Sequence, residues 1–166
     1  MTAQLFNLAK SEGIIVDFYE FPSPILLGAY YCRSKEMPVI LLHRKIEHCR
    51  RLLRCIFAEE LGHHFTTAFD LMAFARSDKY YIARKYEKIA IFWAVEYLMP
   101  LDKLIEAINS GLFLTYEIAE HFEVTKRFAG IGIKLYLEKR RDIMLKSLKT
   151  LPREWRPFQN DRRNKN

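Results

Sequence analysis

Residues 58–65 read Ala-Glu-Glu-Leu-Gly-His-His-Phe, a run with the residue types of a hydrolytic metal site. Such a site needs two ligands on one helical face, which i, i+4 spacing supplies. It also needs a carboxylate beside the first ligand, to take a proton from water that the metal has made acidic. Glu59 and His63 stand at i and i+4, and Glu60 follows the first ligand position. The run departs by one residue from His-Glu-x-x-His, because Glu59 stands where the first histidine belongs. Carboxylate oxygen is a legitimate zinc ligand, so the set is chemically complete with Glu59 and His63 on the metal and Glu60 as general base.

A second register offers Glu60 and His64 as the i, i+4 pair, but its next residue is Leu61, which carries no base. His63 and His64 project about 100° apart on a helix and do not share one metal. The first register is therefore the better one, and His64 is left for packing or a supporting hydrogen bond. An amphipathic helix with an ordinary wet face is the simpler reading of a lone Glu-x-x-x-His. Against it, Glu59 lies on the stripe of Leu52 and Ile56, where an unpartnered carboxylate is costly. Gly62 in mid-helix also costs roughly 1 kcal/mol relative to Ala, which points to close packing or a close ligand.

The elements that must position these residues follow from periodicity. Residues 2–12 predict a short helix ended by Gly13, and Ile14–Phe21, Leu26–Cys32 and Met37–Leu42 predict three strands in a small antiparallel sheet. The period changes after Ile46: Leu52, Ile56, Glu59, His63 and Thr66 form one helical stripe. A second long helix is expected from Asp78 to Leu98, stopped by Met99-Pro100. Shorter helices are expected at 101–110, 116–122 and 126–147. The fold class is therefore α+β: a three-stranded sheet packed with the metal-site helix, then a helical C-terminal part.

With 166 residues, half of them hydrophobic, the chain can bury one substantial core. Its longest apolar run, Ile89 to Val95, is far short of the roughly 20 residues a membrane helix needs. The start shows no basic-then-apolar signal pattern, so a cytoplasmic protein without a membrane is expected. Three cysteines, Cys32, Cys49 and Cys55, make no CxxC pair and read as free thiols. The net charge of +7 gathers at Arg76–Lys88 and in the tail after Pro152, and reads first as a solvated basic surface.

Two further segments widen the match. Residues 87–100 read Glu-Lys-Ile-Ala-Ile-Phe-Trp-Ala-Val-Glu-Tyr-Leu-Met-Pro, and residues 116–124 read Tyr-Glu-Ile-Ala-Glu-His-Phe-Glu-Val. In three ordered blocks over residues 14 to about 138, the chain resembles the ImmA/IrrE family of metallo-endopeptidases. Members carry His-Glu-Leu-Gly-His on a helix fed by a small sheet. Their next helix carries Glu-x-x-Ala-x-x-Phe-Ala and ends in Leu-Leu-Met-Pro; here Trp93 stands at the Phe position and Tyr97 at one Leu. The resemblance implies Glu87 as third metal ligand. Helical geometry agrees, since Glu87, Ala90, Ile91, Ala94 and Leu98 share one stripe and Glu96 lies about 180° away.

The resemblance implies a zinc-dependent peptidase whose substrate is a helix-turn-helix repressor, cut to derepress phage, mobile-element or stress genes. It implies a peptidase-like domain over 1–110, a helical extension over 111–151 packed on it, and a basic disordered tail over 152–166. Glu59 for His makes a Glu, His, Glu set that cancels the metal's charge, and its harder oxygens shift preference towards Mn²⁺ or Fe²⁺, although affinity order still favours zinc. The alternatives are a catalytically inactive binding protein of this family, or a DNA-binding regulator. Residues 115–137 have helix-turn-helix spacing, with Lys126 and Arg127 opening the second helix. The next six residues, Phe-Ala-Gly-Ile-Gly-Ile, offer few base-reading side chains, so a packed helix pair is the preferred reading there.

Overall fold

The computed structural model describes residues 2–33, 36–66 and 80–148. The chain packs as two compact units, one ending at Tyr97 and the other beginning at Leu98.

The first unit opens with helix α1 (Thr2–Ser11), ended by Gly13 in the left-handed region at φ 68°. Strands β1 (Ile15–Tyr19), β2 (Gly28–Tyr31) and β3 (Val39–His43) come next, then a 3₁₀ turn at Arg44–Ile46. The strand order is β1-β3-β2. The three strands lie where alternation places them, but the sheet is mixed rather than antiparallel. β2 runs antiparallel to β3, with Tyr30 opposite Ile40, whereas β1 runs parallel to β3, with Asp17 opposite Leu41. The physical reason lies in residues 20–27: this Pro-containing connection is long enough for the chain to skip one strand position, and β3 then fills the gap. Ile40 and Leu42 point to the covered face and are fully buried, as central-strand residues should be.

Helix α2 (Arg50–Thr66) lies across that face, packing on β2, β3 and α1. Its most buried stripe is Leu53, Phe57 and Leu61, one step round from the Leu52–Ile56–Glu59 stripe expected from the sequence. The offset leaves Leu52, Ile56 and Glu59 partly exposed along the flank of the helix. Phe57 packs against Phe6 of α1 with ring centroids 4.8 Å apart, closing the core around Leu5 and Ile46. Helix α3 (Tyr80–Leu98) completes the unit; the expected start at Asp78 falls outside the described residues.

The second unit is helical: α4 (Leu101–Asn109), α5 (Thr115–His121), α6 (Lys126–Lys139) and α7 (Arg141–Ser147). The Glu117 carboxylate accepts from the Phe113 and Leu114 N–H groups at 2.9 Å each, fixing the start of α5. The turn to α6 passes through Glu123 at φ 52°, and the Thr125 hydroxyl caps α6 by accepting from Phe128 N–H. The Tyr136 hydroxyl, fully buried, donates to the Met99 carbonyl at 2.8 Å. The single helix expected over 126–147 breaks at Arg140 (φ −128°, ψ 24°), which lets Met144 turn into the core. The basic tail expected over 152–166 lies outside the described residues. No helix among the described residues is long and apolar enough to cross a membrane.

Candidate metal and peptidase site

Gly62 decides where α2 and α3 meet. A Cβ there would run into the Ala90 carbonyl oxygen, so the two helices touch backbone to backbone. Ala90 and Ala94 are both buried on α3, and the Ala90 backbone is what meets Gly62. One residue on from Gly62 is His63, and nearly one turn before Ala90 is Glu87. The crossing therefore brings the His63 Nε2 within 3.4 Å of the Glu87 Oε2. The histidine side chain is 9 % exposed and the glutamate 66 %, so the pair is anchored on one side and open to solvent on the other. Beside it, Phe65 stacks on Trp93 at 4.8 Å and Trp93 on Tyr97 at 5.2 Å, a second clasp between the helices.

Glu60 lies on the inner side of α2, under β2. A Cβ on Gly28 would stand 2.6 Å from the Glu60 Oε1 and 2.7 Å from Ile56, so only glycine lets the strand lie this close. The Tyr30 backbone N–H donates to the Glu60 carboxyl. That N–H is available because the ladder alternates: Leu27 accepts from His43 N–H, which turns the backbone groups of Tyr30 away from β3. Burial pushes the Glu60 carboxyl up to about 8. The charges of Glu59 and Glu87 add to the rise, and His63 and the Tyr30 N–H oppose it. Burial lowers the His63 imidazole, but its hydrogen bond to Glu87 and the charges of Glu60, Glu87 and Glu59 outweigh that and raise it overall.

Of the residues the sequence singles out, Glu60, His63 and Glu87 come together from two helices. Glu59, one turn before His63, bears on both Glu60 and His63 through its charge. His64 turns the other way, with its Nδ1 3.0 Å from the Tyr30 hydroxyl. Gly28 and Tyr30 carry no motif of their own; a glycine inside a strand is the signal that marks such a close approach.

A family model for the IrrE N-terminal-like domain, Peptidase_M78, matches residues 9–134. The chain belongs to that family. No significant match was found among curated proteins or among solved structures. Peptidase_M78 is a metallopeptidase family, so this domain is metallopeptidase-like and a metal is implied. The donor set can be tested against that implication. Two ligands about 2.0–2.1 Å from a tetrahedral zinc lie about 3.3 Å from each other, and the His63–Glu87 distance of 3.4 Å fits that edge. The His63 Nδ1 is buried without a hydrogen-bond partner among the described residues, whereas ligating histidines usually donate from their second nitrogen. Among the described residues no three His, Cys, Asp or Glu side chains converge on one point. His63 and Glu87 thus stand at a distance that suits two ligands of one ion, and Glu59 lies one turn before His63 on the same helix.

Proposed function

We propose that this chain is a metal-dependent endopeptidase that cleaves a helix-turn-helix-type repressor, and so derepresses phage, mobile-element or stress genes in the cytoplasm. The observation that carries the reading is the His63–Glu87 pair at ligand-to-ligand distance beside the buried carboxyl of Glu60. His63, Glu87 and Glu59 would hold the ion, zinc by affinity order, with Mn²⁺ or Fe²⁺ favoured by the oxygen donors. A bound divalent cation supplies Lewis acidity to a water molecule and to the scissile carbonyl. Glu60 would be the general base in its ionised form, which a cation held beside it would favour: the carboxylate accepts the proton of the attacking water and passes it to the leaving amine. Strand β2 keeps that carboxyl aimed, through the Tyr30 N–H and the bare Gly28. The Glu87 side chain, 66 % exposed, opens this side of the pair to solvent.

The test is incubation of the purified chain with a co-encoded helix-turn-helix repressor, with and without chelator. Cleavage that stops with chelator and with Glu60→Gln is the expected result. Intact repressor throughout, held by the chain in a stable complex, would favour a second reading, a binding protein without catalysis. That reading is favoured by one observation, the absence of a converged three-ligand set among the described residues.

A further inference from the structure

Three elements meet at His64, outside the pair that faces Glu87. Its Nδ1 lies 3.0 Å from the Tyr30 hydroxyl of β2, and its Nε2 lies 3.8 Å from the Glu12 Oε2, just past the end of α1. The Tyr30 and His64 rings pack edge to face at 5.7 Å. The Tyr30 hydroxyl and His64 Nδ1 are thus within hydrogen-bond distance, and the Glu12 carboxylate lies near the opposite ring nitrogen. Burial, and a hydrogen bond with the Cys32 side chain, hold the phenol above its ordinary range. Both residues are part-buried. What the pair adds is a fixed distance between β2 and α2, and the Tyr30 backbone N–H is the group that meets Glu60 across that gap.

We infer that Tyr30 and His64 are a positioning pair for Glu60: the phenol seated on His64, braced by Glu12, pins β2 to α2 so that the Tyr30 N–H holds the base in place. The same residue thus works at both ends, with its side chain as the pin and its backbone as the contact. The inference rests on the proposed function only for the role given to Glu60; the pin itself is open to test without turnover.

Hydrogen–deuterium exchange of the full chain tests it, read at the Tyr30 amide, with the Ile40 and Leu42 amides of β3 as reference. Tyr30→Phe and His64→Ala each raise exchange at Tyr30 about tenfold and leave Ile40 and Leu42 at the wild-type rate. His64→Asn, whose amide oxygen stands near the place of Nδ1, restores most of the protection. The double variant Tyr30→Phe/His64→Ala is no faster than either single one, because both remove the same contact. Glu60→Ala also raises exchange at Tyr30, because the acceptor is gone. Unchanged exchange at Tyr30 in both single variants overturns the proposal, and so does a rise shared equally by Ile40 and Leu42. With repressor cleavage as a second readout, both single variants lower kcat about tenfold with KM unchanged. A wild-type chain that cleaves nothing counts against the proposed function and leaves the pin to the exchange result. A cleaving chain without the exchange pattern counts against the pin alone.

Discussion

The two helix crossings of this chain handle polar groups in opposite ways. In the first unit, α2 and α3 meet at Gly62 and Ala90 and draw Glu60 and His63 out of water, so that burial and neighbouring charge shift both. In the second, α5 and α6 meet through apolar side chains. Ile118, Ala119, Phe128 and Ile133 are buried, while Lys126, Arg127 and Lys134 stay in solvent. Shifted titration is how an acid–base site is built, and a dry apolar seam is how a scaffold is built. On the proposed function, the difference puts chemistry at the first crossing and support at the second.

The contrast breaks most visibly through Glu60. Glu60→Gln keeps the shape and removes the base, and should lower kcat about 10²- to 10⁴-fold with little change in KM, measured on repressor cleavage. An equal loss from Lys126→Ala/Arg127→Ala would erase the distinction between the crossings.

The glycines sharpen it further. Gly62→Ala gains helix propensity but drives a methyl group into the Ala90 carbonyl, and should destabilise the chain by about 1–3 kcal/mol in denaturant unfolding. Gly130→Ala on α6 meets only the Thr115 Cγ2, at 3.8 Å, an ordinary contact. It should stabilise by about 0.5–1 kcal/mol, because the same propensity gain meets no clash.

Titration gives a third contrast. Glu60 and His63 both hold their protons more tightly in the folded chain than in the unfolded one. Between pH 4.5 and about 8 the folded Glu60 keeps a proton that the unfolded chain has lost, so stability falls as pH rises through that window. His63 acts in the same direction, its contribution present below its unfolded value and lost as pH rises through the folded one. Thermal melts of the metal-free chain should show higher Tm at pH 5 than at pH 8, and Glu60→Gln should flatten most of the slope. A slope unchanged in that variant would place its source elsewhere.

Much of this was legible in the sequence, because side-chain periodicity and helical spacing report on faces. The i, i+4 pair of Glu59 and His63, the small Ala90 and Ala94, and mid-helix Gly62 located both helices and their contact. What stayed hidden depends on neighbours in space. Alternation gives the faces of a strand but not its partner, so β1 beside β3 in parallel could not be read. The contact of Tyr30 with Glu60 is made by a backbone N–H, which every residue but proline has. The break at Arg140 falls in a run of charges, Glu138 to Asp142, where no apolar stripe marks direction. His64 could be set aside from the metal by its angle, but its partner on β2 could not be named.

The smallest effect belongs to the exposed cations. Lys126→Ala and Arg127→Ala should each change stability by less than about 0.5 kcal/mol, since both side chains are solvated. Duplex DNA should bind weakly and no differently in the two variants. Tight binding with a steep salt slope, lost in both, would move the second crossing from support to nucleic-acid recognition.

The central claim is that the first crossing is a metal site, and zinc titration of the purified chain tests it most directly. Wild type should take up one zinc per chain with release of protons from the ligating side chains. His63→Ala and Glu87→Ala should lose that uptake, and Glu59→Ala should weaken it. Sub-stoichiometric zinc in wild type, unchanged in all three variants, would contradict the account.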